Sequence, residues 1–385
     1  MILGLLAGTC LMRAMPTPAS DEWVYQFQIH RFHDGVWKVH PGITMLPGYF
    51  LVVGLITRLF GEYADTTARL VNLAGSIPLL FLARSLVERA WPGQGWIRAA
   101  QVLFLPLLYP FFFLMYTETW SLVCLTGMLL AALRGRTMVA ALVAVAGMAI
   151  RQDFVIWAAF AFLLVCLEKD TWRGRVNQAL VVGWPLIGAG LAFVAFFAWN
   201  GFSVALGDQS MHAKPHNVTN LSVCLLYGFA AFLPYHAWNA PGILALSKHA
   251  WALALVVAGF AFYWLTFSNS HVYNENRFWL HNELLYWMTR LPALRALLYV
   301  PAAWCALSWA ASRLPERRLE WLYAFLVASV VLHPLVEERY YLPGLVLFNL
   351  WRPAMPVRWE AAMLALYVPA SLYILWGITT IRFFP

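Results

Sequence analysis

The sequence predicts an all-α polytopic membrane protein, and three observations carry that reading. Of 385 residues, 62% are hydrophobic and 11% charged, against about 25% charged in soluble domains. Apolar runs of helical length recur along the whole chain, separated by short polar loops. Basic residues gather in alternate loops, the bias that orients helices across a bilayer. The net charge of +8, which would suggest nucleic acid in a soluble chain, is thus read as a topology signal, with no nucleic-acid partner. Cys10, Cys124, Cys166, Cys224 and Cys305 all lie in apolar runs without paired spacing, so neither a zinc site nor a disulfide framework is predicted.

Taken in order, Met1 to Met15 is read as a short first helix with a cytoplasmic N-terminus, in preference to a signal peptide. A polar island follows from Ala19 to Gly48. It opens on the adjacent carboxylates Asp21 and Glu22, then sets Tyr25, Ile29 and Phe32 against Gln26, His30 and His33 at helical intervals, the pattern of a helix on a membrane surface. It closes in a turn at His40, Pro41 and Pro47. A carboxylate at bilayer depth is costly unless it faces water or a partner. The island is therefore expected to wall a polar cavity at the membrane face, with Asp21 as its leading residue. Leu46 to Phe60 is expected as a half-buried helix on the same face.

Spans are then predicted at about Thr67 to Val87, Ile97 to Tyr116, Trp120 to Leu133, Met138 to Ile150, Phe154 to Leu167, Gln178 to Trp199, Leu221 to Tyr235, Ala250 to Phe267, Leu294 to Ser312, Trp321 to Leu335, Tyr341 to Trp351 and Ala361 to Ile381. Several fall short of the roughly 20 residues of a straight span. The expected architecture is a bundle of about 12 to 13 transmembrane helices with outer-face juxtamembrane helices, one domain over residues 1–385 whose first outer loop is residues 16–60.

Alternate threading puts Arg84, Arg89, Arg98, Arg134, Arg136, Lys169, Arg173, Arg175, Arg313, Arg317, Arg318, Arg352 and Arg358 on one side, cytoplasmic by the positive-inside rule. The opposite side collects Asp21, Glu22, Asp34, Glu62, Asp65, Glu118, Asp153, Asp208, Glu275, Glu283, Glu337 and Glu338. The chemistry is expected on that acidic face. The sequence holds no Walker loop, GxGxxG, DxD or HExxH, so no cofactor, nucleotide donor or metal is predicted.

Five polar clusters fall there, each with a plainer alternative. Asp21 and Glu22 could simply favour a helix start. In Tyr116-Thr117-Glu118, Thr117 or the next residue, Thr119, could be an N-cap. Arg151, ahead of Gln152 and Asp153, could pair with Asp153 or Glu118. Asp208 with Ser210, His212 and Lys214 could be a solvated loop. The last cluster is split between Asn274-Glu275-Asn276-Arg277 and Glu337-Glu338-Arg339-Tyr340. Arg339 lies near a membrane boundary, where a planar, permanently charged fork suits a phosphate and also suits snorkelling to headgroups. Asn217-Val218-Thr219 and Asn220-Leu221-Ser222 are sequons on the outer side.

In order along the chain, Asp21-Glu22, Ile43-Thr44, Leu46-Pro47-Gly48, Arg69-Leu70-Val71-Asn72, Tyr116-Thr117-Glu118, Arg151-Gln152, Gly207-Asp208 with Ser210 and His212, Asn276-Arg277, Glu337, Arg339-Tyr340 and Leu342-Pro343 together resemble one family. It is the family that adds the terminal alpha-1,2-linked glucose to the dolichol-linked oligosaccharide, and the resemblance covers nearly the whole chain. It departs from that pattern at Val39-His40-Pro41 and Thr44-Met45, and at Glu275 and Phe278 beside Asn276-Arg277.

The resemblance implies a type C glycosyltransferase fold, a lipid-phosphate glucose donor, a lipid-linked glycan acceptor, membrane lipid as surroundings, and a base in the first outer loop at the position of Asp21. It implies substrate contacts at Glu22, Thr44, Tyr116, Glu118, Arg151, Gln152, Asp208, His212, Asn276, Arg277, Glu337, Arg339 and Tyr340. The active face would be lumenal in an endoplasmic reticulum or periplasmic in a bacterium. The residue inventory is compatible with this chemistry. A sugar leaving as a lipid phosphate needs no general acid, so one carboxylate suffices, unlike the paired carboxylates of a glycosidase. The competing class is a transporter or flippase of a lipid-linked sugar, which predicts inverted repeats and polar groups at mid-membrane.

Overall fold

The computed structural model describes residues 2–15, 17–200, 216–271, 274 and 282–384. Among them are nineteen α-helices, three short 3-10 turns and no strand. The chain forms two compact units, one of Gly8–Gly95 with Pro110–Ser210 and one of Met1–Ala7, Trp96–Tyr109 and Met211–Pro385. Three described helices, Asp65–Ala90, Pro292–Ala310 and Val357–Thr379, are long and apolar enough to cross a membrane, or up to five spans with two bent pairs, and shorter apolar helices accompany them.

In the Gly8–Gly95 unit, the Glu22–His33 helix buries Glu22, Tyr25, Gln28, Ile29, Phe32 and His33. The apolar stripe expected at Tyr25, Ile29 and Phe32 is thus the inner face. His33, expected among the polar residues, is inside as well, its Nδ1 lying 3.2 Å from the Thr57 hydroxyl. The Gly48–Leu59 helix packs against this one at Gly54. A Cβ there would lie 2.8 Å from the Ile29 carbonyl oxygen and 2.7 Å from the Phe32 Cβ, so only glycine permits the approach. The Glu118–Leu133 helix packs beside Asp65–Ala90 and Thr137–Ile150. The latter turns Ala140, Ala141, Ala144 and Gly147 inward, small residues that let helix backbones come close.

Proline explains where expected spans are broken. The Ile97 to Tyr116 run is a helix only over Gly95–Leu103, then passes Pro106 in a turn before a 3-10 turn at Tyr109–Phe112 that contains Pro110. Proline supplies no amide to continue the ladder. Gln178 to Trp199 becomes two helices, Trp172–Val181 and Trp184–Trp199, bent by 67°, with Pro185 in the first turn of the second. Leu221 to Tyr235 ends as a helix at Ala231, and Pro234 and Pro241 open the short helices Leu233–Trp238 and Ala240–Ser247 that follow.

In the other unit, two arginines expected as cytoplasmic loop charges are wholly buried. Arg98 and Arg352 share the carboxylate of Glu360, all three at 0% exposure. Arg98 also donates to the Arg352 carbonyl at 2.7 Å and the Pro353 carbonyl at 2.9 Å, and Gln101 donates to Glu360 at 2.8 Å. These groups tie Gly95–Leu103 to the start of Val357–Thr379. Glu360 balances part of their charge inside the fold, and neither arginine sits in a solvated loop.

Candidate active site

Asp21 stands at the N-cap position of the Glu22–His33 helix, half-buried. Its carbonyl accepts from the amides of Val24 at 3.0 Å and Tyr25 at 3.1 Å. Ser20, immediately before it, has φ +48°, a left-handed conformation uncommon for a residue with a Cβ. The chain therefore turns sharply where Asp21 is presented.

Glu22 is fully buried, and its carboxylate is filled. Oε1 accepts from Arg69 Nε at 2.8 Å and the Met115 amide at 2.9 Å. Oε2 accepts from Arg69 Nη2 at 2.8 Å and the Ala19 amide at 3.0 Å. One side chain thus fastens the helix start to the Asp65–Ala90 helix and to the segment before Glu118. Asn72, three residues after Arg69 on the same helix face, donates to the Tyr116 carbonyl at 2.8 Å and to the Leu114 carbonyl, and accepts from the Tyr49 hydroxyl at 3.1 Å. Arg69 and Asn72 were not among the expected site residues. Their signal was an arginine and an amide one turn apart, in the Arg69-Leu70-Val71-Asn72 run that the family resemblance already includes.

The other described residues expected in this unit join the same network. Tyr116 is buried and its hydroxyl donates to the Ala19 carbonyl at 3.3 Å. Arg151 pairs with Glu118 and, at 2.9 Å, with Asp153, the structural role that was the plainer alternative for it. Thr117 holds the N-cap position of the Glu118–Leu133 helix without capping it through its side chain. Its hydroxyl lies 3.3 Å from Glu118, and the Thr119 hydroxyl donates to the Phe111 carbonyl at 2.9 Å. Gln152 donates to the Thr44 carbonyl at 3.1 Å, while its Oε1 is buried without a hydrogen-bond partner among the described residues. Residues from 19 to 153 are thereby linked into one polar patch.

Along the same helix, Gln26 holds both oxygens of Asp65 at 2.9 Å, and the His30 ring stacks on Tyr63 with centroids 4.4 Å apart. Burial, then the neighbouring Asp65, push the Tyr63 hydroxyl well above the usual tyrosine range.

In the other unit, Glu337, Glu338 and Arg339 are buried and Tyr340 is half-buried. Arg339 Nε lies 2.6 Å from Glu337 Oε2, and the guanidinium carbon stands 5.7 Å from the Tyr340 ring centre. Tyr340 stacks on His333 with centroids 3.7 Å apart. Three asparagines hold the loop that leads to this group. Asn220 donates to the His333 and Leu335 carbonyls at 3.0 Å and accepts from the Tyr341 hydroxyl at 2.8 Å. Asn217 donates to Ser268 at 3.2 Å and Pro334 at 3.4 Å. Asn274 exchanges two hydrogen bonds with the Val336 backbone at 2.9 and 3.0 Å. Asn217 and Asn220 carried only a sequon reading in the sequence. Asp208, His212, Asn276 and Arg277 lie outside the described residues. Among the described residues no three His, Cys, Asp or Glu side chains are grouped to hold a metal.

A model of the DIE2/ALG10 family matches residues 15–179 and 172–350. The chain belongs to the DIE2/ALG10 family. Curated relatives of this DIE2/ALG10 chain include proteins named Dol-P-Glc:Glc(2)Man(9)GlcNAc(2)-PP-Dol alpha-1,2-glucosyltransferase from Mus musculus, 26% identical, and Homo sapiens, 24% identical, each alignment covering 92% of this chain and 88% of the relative. The Kluyveromyces lactis protein of the same name is 28% identical over 60% of this chain and 48% of its own length. No solved structure matches. The Glu22–Arg69–Asn72 network, the Arg151–Glu118 pair and the Arg339–Glu337 pair all fall inside the span that the DIE2/ALG10 model covers.

Proposed function

We propose that this protein is an inverting membrane glucosyltransferase. It moves glucose from a polyprenyl (dolichyl) phosphate to a lipid-linked oligosaccharide or related glycan, forming an alpha-1,2 linkage. The observation that carries this reading is the family match across residues 15–350, with relatives bearing that activity in their names aligned over 92% of the chain.

Asp21 is assigned as the general base. A base must be within reach of the acceptor hydroxyl, and burial separates the candidates: Glu22 is 0% and Glu118 3% exposed, whereas Asp21 is half-buried at the head of its helix. Asp21 takes the hydroxyl proton and the acceptor oxygen forms its bond to the anomeric carbon. The bond from that carbon to the phosphate oxygen breaks on the opposite face, and the lipid phosphate leaves with the electron pair. Arg339, on its clamped loop, is assigned to the donor phosphate because a guanidinium keeps its charge and offers two parallel donors. Glu337 orients that fork through the 2.6 Å contact. The working face is the one opposite the basic loops, lumenal or periplasmic.

Incubation of the purified protein with a panel of polyprenyl-phosphate sugars and a lipid-linked glycan tests the assignment. Release of lipid phosphate from the glucose donor, with a new alpha-1,2 linkage in the product, is expected. Release from another sugar alone, or movement of an intact lipid-linked sugar across a vesicle without release, would overturn it.

A further inference from the structure

The helix Leu342–Trp351 joins two groups of charges. At its start stands Arg339, two residues before the N-cap Tyr341. At its end, Arg98 donates to the Arg352 carbonyl at 2.7 Å, the Pro353 carbonyl at 2.9 Å and the Leu350 carbonyl at 3.4 Å. Leu350 lies nine residues beyond Tyr341, roughly 14 Å at a rise of 1.5 Å per residue. Both ends belong to the same compact unit.

Every residue from Leu342 to Trp351 is buried except the half-buried Pro343. The Phe348 ring meets those of Phe232 at 5.0 Å and Trp309 at 4.9 Å between centroids, and a Cβ at Gly344 would overlap the Leu326 side chain. Such packing resists sideways movement, but apolar burial is non-directional and specifies position along the axis only weakly. The charges at the far end specify it. The Glu360 carboxylate accepts from Arg98 Nη2 at 3.2 Å, Arg352 Nη1 at 3.0 Å, Gln101 Nε2 at 2.8 Å and the Met355 amide at 3.1 Å. Gln101 in turn accepts from Arg352 Nη2 at 2.9 Å. Arg98, Gln101, Arg352 and Glu360 are all wholly buried. A buried ion group is weak evidence for stability, because apolar residues of similar volume often serve as well, and its best-attested use is to fix register.

We propose that the Arg98–Arg352–Glu360 group positions the donor phosphate: it sets the axial register of Leu342–Trp351 and so the place of Arg339 at the other end. This rests on the assignment of Arg339 to that phosphate. Being wholly buried, Arg98 and Glu360 act through the helix. At the start of the helix the Tyr341 hydroxyl donates to Asn220 at 2.8 Å, so an axial shift would also disturb the loop that Asn220 holds. Misplacing a binding group by about 1 Å can cost up to about a hundredfold in rate.

Glucose transfer by the purified full chain would be followed with donor and acceptor varied in turn, and melting curves recorded in the same detergent. Arg98→Lys keeps the charge, but an ammonium cannot span three carbonyls as the planar fork does. Gln101→Leu keeps every charge and removes one donor and one acceptor. Each should raise the donor KM about tenfold and leave the acceptor KM unchanged. Leu129→Ala, a wholly buried position in the other unit, should lower the melting temperature without moving the donor KM. If Arg98→Lys does not fold, Gln101→Leu decides alone. An unchanged donor KM in the folded variants, or an equal rise in Leu129→Ala, would overturn the positioning role. Arg339→Gln separates the two claims. A raised donor KM there, beside an unchanged one in Gln101→Leu, removes only the positioning role, whereas an unchanged one in Arg339→Gln removes the phosphate assignment and this proposal with it.

Discussion

Asp21 and Glu22 are neighbours in sequence and opposites in environment. One is half-buried at a sharp turn, the other is sealed by two hydrogen bonds from Arg69 and two from the Ala19 and Met115 amides. Their amide variants should therefore fail in different ways. Asp21→Asn keeps size and hydrogen bonding but cannot take a proton, so it should melt like the wild type and transfer glucose about two to four orders of magnitude more slowly. Glu22→Gln leaves the Arg69 guanidinium buried without its counter-charge, and breaking such a pair costs about 3 to 5 kcal/mol. It should melt well below the wild type while losing less turnover per folded molecule. Melting curves and single-turnover rates in one detergent decide the matter, and a stable, inactive Glu22→Gln beside an active Asp21→Asn would exchange the roles. The charge types at these positions were legible in the sequence, as was the arginine at 69. Their pairing was not, because forty-seven residues separate Glu22 from Arg69 and apolar spacing carries no record of which polar groups meet.

At the scale of elements, the hydrophobic pattern located the helices well and their interruptions poorly. Hydropathy records which residues avoid water, and a buried turn avoids it as a buried helix does. That is why Leu105 to Phe113, buried throughout, looked like the middle of a span although its prolines break the ladder. The buried stripe of the Glu22–His33 helix was readable from Tyr25, Ile29 and Phe32; the inward turn of His33 needed knowledge of Thr57. The contact at Gly54 gives this level its own test. Gly54→Leu must displace either the Ile29 carbonyl or the Phe32 side chain, at a cost of about 1 to 3 kcal/mol for overpacking. Since the Glu22–His33 helix carries Asp21 at its head, transfer should fall along with the melting temperature, whereas Leu59→Ala, at 84% exposure on the same helix as Gly54, should affect neither. Undiminished transfer in Gly54→Leu would show that this helix need not hold its position.

Across the whole molecule, the basic loops predict orientation, although Arg98 and Arg352 must be dropped from that count because Glu360 neutralises part of their charge in the interior. The threading proposed from the remaining arginines has Arg134 and Arg317 on the cytoplasmic side and the Asp21 end outside. Single cysteines introduced after all five native cysteines are replaced by serine should be labelled from outside intact cells at the exposed position 37 and spared at the exposed positions 134 and 317. The reverse pattern would invert the threading. The asparagine clamps bear on a different way of finding sidedness. Asn217 and Asn220 head acceptor tripeptides, yet their amide nitrogens are donated to backbone carbonyls and the Thr219 hydroxyl is bonded to Ser268. A sugar added before folding would occupy the nitrogen that closes the loop ahead of Arg339, so occupancy and a finished fold compete for one atom. Protein purified from a glycosylating host should carry no mass increment at either site, and an active species with a glycan on Asn220 would contradict the clamp. An unmodified gel band would then report a completed loop, and glycan mapping through these native sites would be blind to the side of the membrane on which they lie.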